Sequence, residues 1–254
     1  MKWYFALSQA TQQVYADHVK VSVISALKNT SLEPHFLYDG EDDDLCAWMR
    51  SKGVTVIRTR VHFHEQITAL RETGYLSDVA LGAYLRTEIP NIDKSDDIVL
   101  YTDCDVMFLK DPVYQGPPIR YFAAAPESDI GDYSVHSINT GSLFMNLKNL
   151  RSVYWPFVTF IKGGLQNFAA FDQGAYRIFF NGLWDRMDPI HNWKPYWGYN
   201  SGASIIHFHG PKYNNIKTMQ QGGHVWWRLE AMYRGNADTY QKYVDDFERL
   251  LAEA

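Results

Sequence analysis

The chain has 254 residues, is 46% apolar and 15% aromatic, and carries a formal net charge of −5. That apolar content is enough for a sizeable core in one large domain, and the acidic balance excludes an extended nucleic-acid surface, which needs clustered Lys and Arg to displace counterions. No run approaches the roughly 18 uninterrupted apolar residues of a membrane span, and the opening MKWYFALSQA holds too short an apolar patch for a secretory leader.

The chain is therefore expected to start at Met1 as the mature protein and to work in the cytoplasm. Cys46 and Cys104 have no CxxC neighbours, which fits small buried side chains in a reducing compartment. In chain order, Trp3 to Leu7 is an apolar run that predicts a strand. The next segment places Val19, Val23, Ala26 and Leu27 at helical spacing. PHFLYDG predicts a second strand. The acidic DGEDDD, Asp39 to Asp44, lacks the spacing of a calcium loop and is read as a solvated turn and helix start. DLCAWMRSKG predicts a helix closed by Gly53, and VTVIRT a third strand. HFH, His62 to His64, falls in a polar connection and is read as loop or acceptor-site lining without a metal role. SDVALGAYLRTEIP predicts a helix with Ser77 as N-cap and Pro90 as its stop, leading to the strand DIVLYTD. Repeated β-α units imply parallel strands with right-handed crossovers, and ligands in such sheets gather beyond the carboxyl ends of the strands.

Beyond residue 110 the pattern is less regular. YFAAAP and TGSLFMNL predict strands, VYWPFVTFIKG and FDQGAYRIFFNG helices interrupted or ended by glycine, and SIIHFHG a late strand. From Asp238 onward, Tyr243, Val244, Phe247, Leu250 and Leu251 form one helical stripe, suited to packing on the sheet or to a partner or membrane surface.

Two places carry chemistry. Asp103 and Asp105 stand two apart where an apolar strand ends. Like charges brought together there are costly unless a cation neutralises them. Oxygen ligands of this kind suit Mg²⁺ or Mn²⁺, which in turn bridge phosphate oxygens; the alternative is that both aspartates cap a helix or bond backbone in a turn. His207 and His209, again two apart, end another apolar run and are followed by Gly210 and Lys212. Imidazole suits Mn²⁺, Gly allows close backbone approach, and Lys offers a point charge to a phosphate.

With these blocks in order (FALS, AYLRTEIP, VLYTDCDVMFLKDP, FAAAPE, NTGSLFMNL, FDQGAYR and IIHFHGPK, from residue 2 to 215), the chain resembles the family 8 glycosyltransferases of the GT-A fold, the group that includes glycogenin and bacterial lipopolysaccharide galactosyl- and glucosyltransferases. The resemblance implies an α/β, Rossmann-like, mixed but mostly parallel central sheet flanked by helices. It implies a single domain, taken over 1–254, to which the helical stripe from Asp238 adds an amphipathic helix over 238–252. It also implies Mn²⁺-assisted transfer of a hexose from a nucleotide-sugar, UDP-glucose or UDP-galactose, with retention of configuration. Mg²⁺ is the substitute ion. The acceptor would be a carbohydrate, a glycolipid or another hydroxyl compound, with membrane association open and no nucleic acid involved.

By the same resemblance, Asp103, Asp105 and His207 would bind metal, and His207 is preferred to His209 because it matches H-x-x-G. Ala6, Ser8 and Cys104 would neighbour the nucleotide, although the first strand lacks the family's usual acidic residue. Arg86 would reach the donor's phosphate or sugar. Glu127, with Asp129 as substitute, would contact the sugar, and Asn139 and Gly141 would line its pocket. Asp172 and Gln173 would stand near the reacting carbon, or Asp172 would simply cap a helix. Gly210 and Lys212 would meet the phosphate, though Lys212 follows the glycine by two positions where the family has three; Lys217 is a distant substitute. PYWGY (195–199) and VWW (225–227) either stack on an acceptor or fill the core. Two rival classes share parts of this pattern. A haloacid-dehalogenase-like phosphatase normally carries its DxD on the first strand, whereas three β-α units precede it here. A nucleotide-sugar-binding protein would keep the metal ligands without catalysis.

Overall fold

A computed structural model describes residues 1–254. In chain order the strands are β1 (Lys2–Ser8), β2 (Glu33–Asp39), β3 (Thr55–Arg58), β4 (Ile98–Thr102), β5 (Val106–Phe108), β6 (Phe122–Pro126), β7 (Ile138–Asn146), β8 (Asp185–Arg186) and β9 (Ile205–His207). The helices are α1 (Gln12–Asn29), α2 (Asp44–Ser51), α3 (His64–Glu72), α4 (Val79–Tyr84), α5 (Ile89–Ile92), α6 (Leu147–Gly164), α7 (Asp172–Phe180), α8 (Tyr213–Gln220), α9 (Trp227–Arg234) and α10 (Ala237–Leu251). The chain forms two compact units, one of Met1–Val14, Leu32–Asp103 and Tyr114–Asp188, the other of Tyr15–Ser31, Cys104–Val113 and Pro189–Ala254.

The first unit is built on a seven-stranded sheet ordered β3-β2-β1-β4-β7-β6-β8. β1, β2, β3 and β4 pair in parallel, β7 runs antiparallel to both β4 and β6, and β8 is parallel to β6, so β7 alone is reversed. The sheet is thus mixed and mostly parallel. β6 is buried along its whole length and β7 along all but its last residue, which is why both appear in sequence as nearly unbroken apolar runs. α6 sets Leu150, Tyr154, Phe157, Val158 and Ile161 into the core at helical spacing and carries Pro156 on its exposed side, so the run is one continuous helix.

Three local expectations are corrected in this unit. Pro90 does not stop the helical run: it sits in the first turn of α5, where a missing N–H costs nothing, and the chain stays helical to Ile92. The His62 to His64 connection is not all loop, because His64 opens α3. Ser77 lies before the cap of α4, a position held by Asp78. The acidic turn behaves as read, with the Asp43 carboxylate accepting from the Cys46 N–H at 2.9 Å to cap α2.

The second unit pairs β5 with β9 antiparallel, bringing Val106 opposite His207. Ser22 of α1 donates to the carbonyls of Cys104 and Val106, at 2.7 and 2.6 Å. Within α1, Val19, Val23 and Ala26 are buried as the spacing predicts, but Leu27 is 43% exposed. α10 buries Tyr240, Tyr243, Val244, Phe247 and Leu250, so its apolar stripe faces the interior of this unit. No helix of the chain is long and apolar enough to cross a membrane.

Candidate active site

In the first unit, the reversal of β7 decides what meets at one sheet edge. Thr102, the last residue of β4, stands opposite Ser142, so Asn139, Thr140 and Gly141 at the start of β7 extend past the end of β4. The Asp103 N–H donates to the Gly141 carbonyl at 2.8 Å. β6 ends at the same edge, with Pro126 opposite Ile138, and Glu127 follows it.

Arg86, in the 3₁₀ turn between α4 and α5, is the hub. Its side chain is only 3% exposed; Nη2 donates to Asp103 Oδ1 at 2.7 Å and Nε lies 3.0 Å from Asp172 Oδ2. Nη1 donates to the Thr140 carbonyl and Nε to that of Ala83, while the guanidinium stacks 4.3 Å from the Tyr101 ring centre. Burial disfavours the charge on Arg86, but Asp172, Tyr101 and Asp103 outweigh it and its pKa is raised. Asp103 also accepts from the Tyr101 hydroxyl at 3.1 Å and keeps a third of its side chain in solvent.

Asp172 opens α7 without capping it. Its carboxylate is held by Arg86 and by the Thr140 hydroxyl at 3.2 Å, and burial pushes its pKa up to about 6, against the pull of Arg86 and with a smaller push from Asp103. The turn into α7 is strained: Ala170 and Phe171 take φ of 56° and 54°, a region that costs residues with a Cβ about 1–3 kcal/mol each. Gly174 is required there, since a Cβ would stand 2.3 Å from the Ala169 carbonyl oxygen. The Gln173 amide is engaged through both its oxygen and its nitrogen, accepting from Asn139 (3.2 Å) and the Thr140 N–H (2.9 Å) and donating to Glu127 at 2.8 Å. Glu127 pairs with Arg177, which is also bonded to the Ile138 carbonyl. Five of the residues picked from sequence, Arg86, Asp103, Asp172, Gln173 and Glu127, are thus joined in one network with Asn139 and Gly141. Asp129 is outside it and caps the Gly131 N–H.

Ala6 and Ser8 lie on β1. Ala6 belongs to the apolar core, while Ser8 pairs in register with Asp39 and shares a 3.2 Å hydrogen bond with Thr11. His62 is bonded to Glu88 (3.1 Å) and Tyr154 (2.7 Å).

In the second unit, Asp105 is almost wholly buried, with Oδ1 3.4 Å from His207 Nε2 and Oδ2 accepting from Lys212. Burial raises the Asp105 pKa, but Lys212 and His207 reverse this and hold the carboxyl well below its usual range. Lys212 also donates to the Phe208 carbonyl at 2.8 Å. His207 Nδ1 lies 2.8 Å from the Asn192 side-chain oxygen, a contact that orients the ring so that Nε2 faces Asp105, as an outer partner orients a metal-binding imidazole. His209 lies beyond the end of β9 and does not continue its strand face. Its Nδ1 is 2.8 Å from the Tyr196 hydroxyl, and burial lowers its pKa well below 6.5. Gly210 has φ +92°. Lys217 is on Glu248. Cys104 is buried, and its carbonyl accepts from Ser22.

Sequence reasoning missed Thr140, Arg177, Asn192 and Tyr101. Thr140 stands between two chosen residues, Asn139 and Gly141. Nothing local marked Asn192, whose role depends on the distant His207.

No protein-family model matches the sequence, and no curated protein matches it. Among solved structures, the chain has the fold of GT-A glycosyltransferases of the family 8 kind. The galactosyltransferase LgtC, crystallised with donor and acceptor sugar analogues, is similar over 94% of this chain and 96% of its own, with a TM-score of 0.61 and 17% identity. The glycosyltransferase GlyE of Streptococcus pneumoniae TIGR4 matches 99% of this chain at a TM-score of 0.64 and 15% identity, and the chain spans 63% of the length of GlyE. Mouse xyloside xylosyltransferase 1 matches 81% of the chain at a TM-score of 0.53 and 12% identity.

Proposed function

We propose that the chain is a retaining glycosyltransferase that moves a hexose, from UDP-glucose or UDP-galactose, to a hydroxyl of a carbohydrate or glycolipid acceptor. The observation that carries this reading is the sheet-edge network in which Arg86 holds both Asp103 and Asp172 while Gln173 bonds Asn139 and Glu127, on a fold like that of glycosyltransferases.

The donor set fits a hard divalent cation. Asp103 and Asp105 are two positions apart in the chain, and Asp105 faces Nε2 of a His207 whose ring is oriented by Asn192. Asp103, Asp105 and His207 would hold Mn²⁺ or Mg²⁺, which supplies Lewis-acid charge to the diphosphate of the donor. The chain's own residues do the rest. Arg86 orients Asp103 and Asp172, and the Gln173 amide is fixed by three partners beside Glu127. The Asp172 carboxylate is locked by Arg86 and the Thr140 hydroxyl, contacts that oppose its advance as a nucleophile. That favours attack by the acceptor on the face the diphosphate leaves, with a departing phosphate oxygen taking the hydroxyl proton. Asp172→Asn then keeps substantial transfer, and trapping of a glycosylated enzyme would refute the same-face route.

The test is UDP release from UDP-glucose and UDP-galactose with Mn²⁺, with Mg²⁺ and with excess chelator. Release is expected only with metal and is lost in Asp103→Ala and Asp105→Ala. Full release in both variants or in chelator overturns the metal assignment. Inorganic phosphate from phosphomonoesters, with no use of the donors, overturns the transferase reading.

A further inference from the structure

α9 alone among the ten helices buries none of its residues. At its start, Trp226 and Trp227 are 57% and 66% exposed, so folding has left their rings in water and not in the core. The ring centres are 6.3 Å apart with 67° between the planes, forming two walls of a corner, and the Arg228 guanidinium lies 5.2 and 5.3 Å from them.

This corner is fixed to the loop that carries His207 and Lys212. Gly210, at φ +92°, lies under Met232 of α9: a Cβ on Gly210 would stand 2.8 Å from the methionine methyl. Met232 follows Trp227 by five residues, roughly 8 Å along the helix axis. The two rings thus stand on a helix anchored to the same loop that presents the candidate cation ligand.

The surroundings select the chemistry. Glu230 accepts from the Val225 N–H and from His224, each at 3.1 Å, and pairs with Arg234 at 3.3 Å, so hydrogen-bonding groups of both signs border the rings. Such a mixed border offers no concentrated charge to an anionic lipid surface or a nucleic acid. Nor does an apolar face flank the tryptophans for entry into acyl chains, because the stripe of α10 is buried. A pyranose presents an apolar C–H face to an aromatic ring and hydroxyls to a polar border, and that is the match here.

We propose that Trp226 and Trp227, bordered by Arg228, form a stacking platform for the saccharide acceptor, holding sugar units beyond the hydroxyl that is glycosylated. The proposal rests on the glycosyl-transfer reading and names the acceptor class as a neutral oligosaccharide.

The test is calorimetric titration of the full chain with maltohexaose, cellohexaose and lacto-N-tetraose, comparing wild type with Trp226→Ala/Trp227→Ala and with Trp226→Phe/Trp227→Phe. Circular dichroism and Tm check that α9 remains folded. Binding of at least one saccharide, weakened tenfold or more by the alanine pair and largely restored by the phenylalanine pair, is the expected result. No binding by wild type, or equal binding by the alanine pair, overturns it. So does a loss in that variant of flotation with phosphatidylglycerol vesicles, or of a dimer, while saccharide binding is kept. Donor hydrolysis by the wild-type chain is measured separately: if it is absent while saccharide binding depends on the tryptophans, the transfer reading fails and the platform stands.

Discussion

Arg86→Met tests whether one buried guanidinium holds the candidate site together. The substitution keeps the apolar stem and removes the charge that faces Asp172, whose side chain is 4% exposed. Breaking a buried ion pair by deleting one partner costs about 3–5 kcal/mol, because the other charge is left uncompensated. The pH dependence identifies that other charge. In the folded protein burial already pushes Asp172 from 3.8 to about 6. A carboxyl raised in the folded state contributes stability that is full below about pH 3.8 and is lost as pH rises through about 6. Two units amount to about 3 kcal/mol by neutral pH. Without Arg86 the folded pKa rises further and the loss deepens. Urea unfolding in chelator, followed by circular dichroism, should therefore give a deficit for Arg86→Met that is several kcal/mol at pH 8 and much smaller at pH 5. Adding Asp172→Asn to that variant should recover part of the deficit at pH 8. A deficit below about 1 kcal/mol, the same deficit at both pH values, or no recovery in the double variant would refute this account of the network.

Other substitutions probe the second unit and the turn before α7. His18 is buried against Phe208 and Phe247, with no hydrogen bond to either ring nitrogen, and burial lowers its pKa to about 4. Its contribution is present above about pH 6.5 and is lost as pH falls through 4, about 3 kcal/mol in full; His18→Leu should move the acid-unfolding midpoint downward, and an unmoved midpoint contradicts it. Asn192→Leu frees the His207 ring to rotate and should weaken Mn²⁺ affinity about 10- to 100-fold in calorimetry, an effect that a merely structural Asn192 would not produce. Gly174→Ala drives a Cβ into the Ala169 carbonyl and should cost about 1–3 kcal/mol in urea unfolding.

What the sequence made legible follows from how local each signal was. The β-α alternation to residue 103 could be read because each element carries its own period and punctuation, such as the Asp43 cap of α2. Asp103 could be chosen because it closes an apolar strand, a local signal, whereas Asp172 and Gln173 stood out only through the family resemblance of FDQGAYR. The helices α8 and α9 were not read: α9 buries nothing, so it has no apolar stripe to detect. The run through Pro90 was cut short because proline was weighed as a stop, although at the first turn of α5 it is a compatible residue.

The partners were less legible than the ligands for a physical reason. Orientation at this site is imposed from a distance in sequence: Asn192 on His207 across 15 residues, Thr140 on Asp172 across 32, Arg177 on Glu127 across 50. Each such bond depends on which segments lie side by side, and for the two in the first unit that ordering turns on the reversal of β7 between β4 and β6. With β7 parallel instead, its amino-terminal Asn139–Gly141 would fall at the opposite edge of the sheet, and Asp103 would lose its backbone bond to Gly141 together with the carbonyl that helps fix Arg86. The single antiparallel strand is therefore what joins the aspartate at the end of β4 to the start of α7. A sequence pattern that identifies strands without their directions cannot supply that connection.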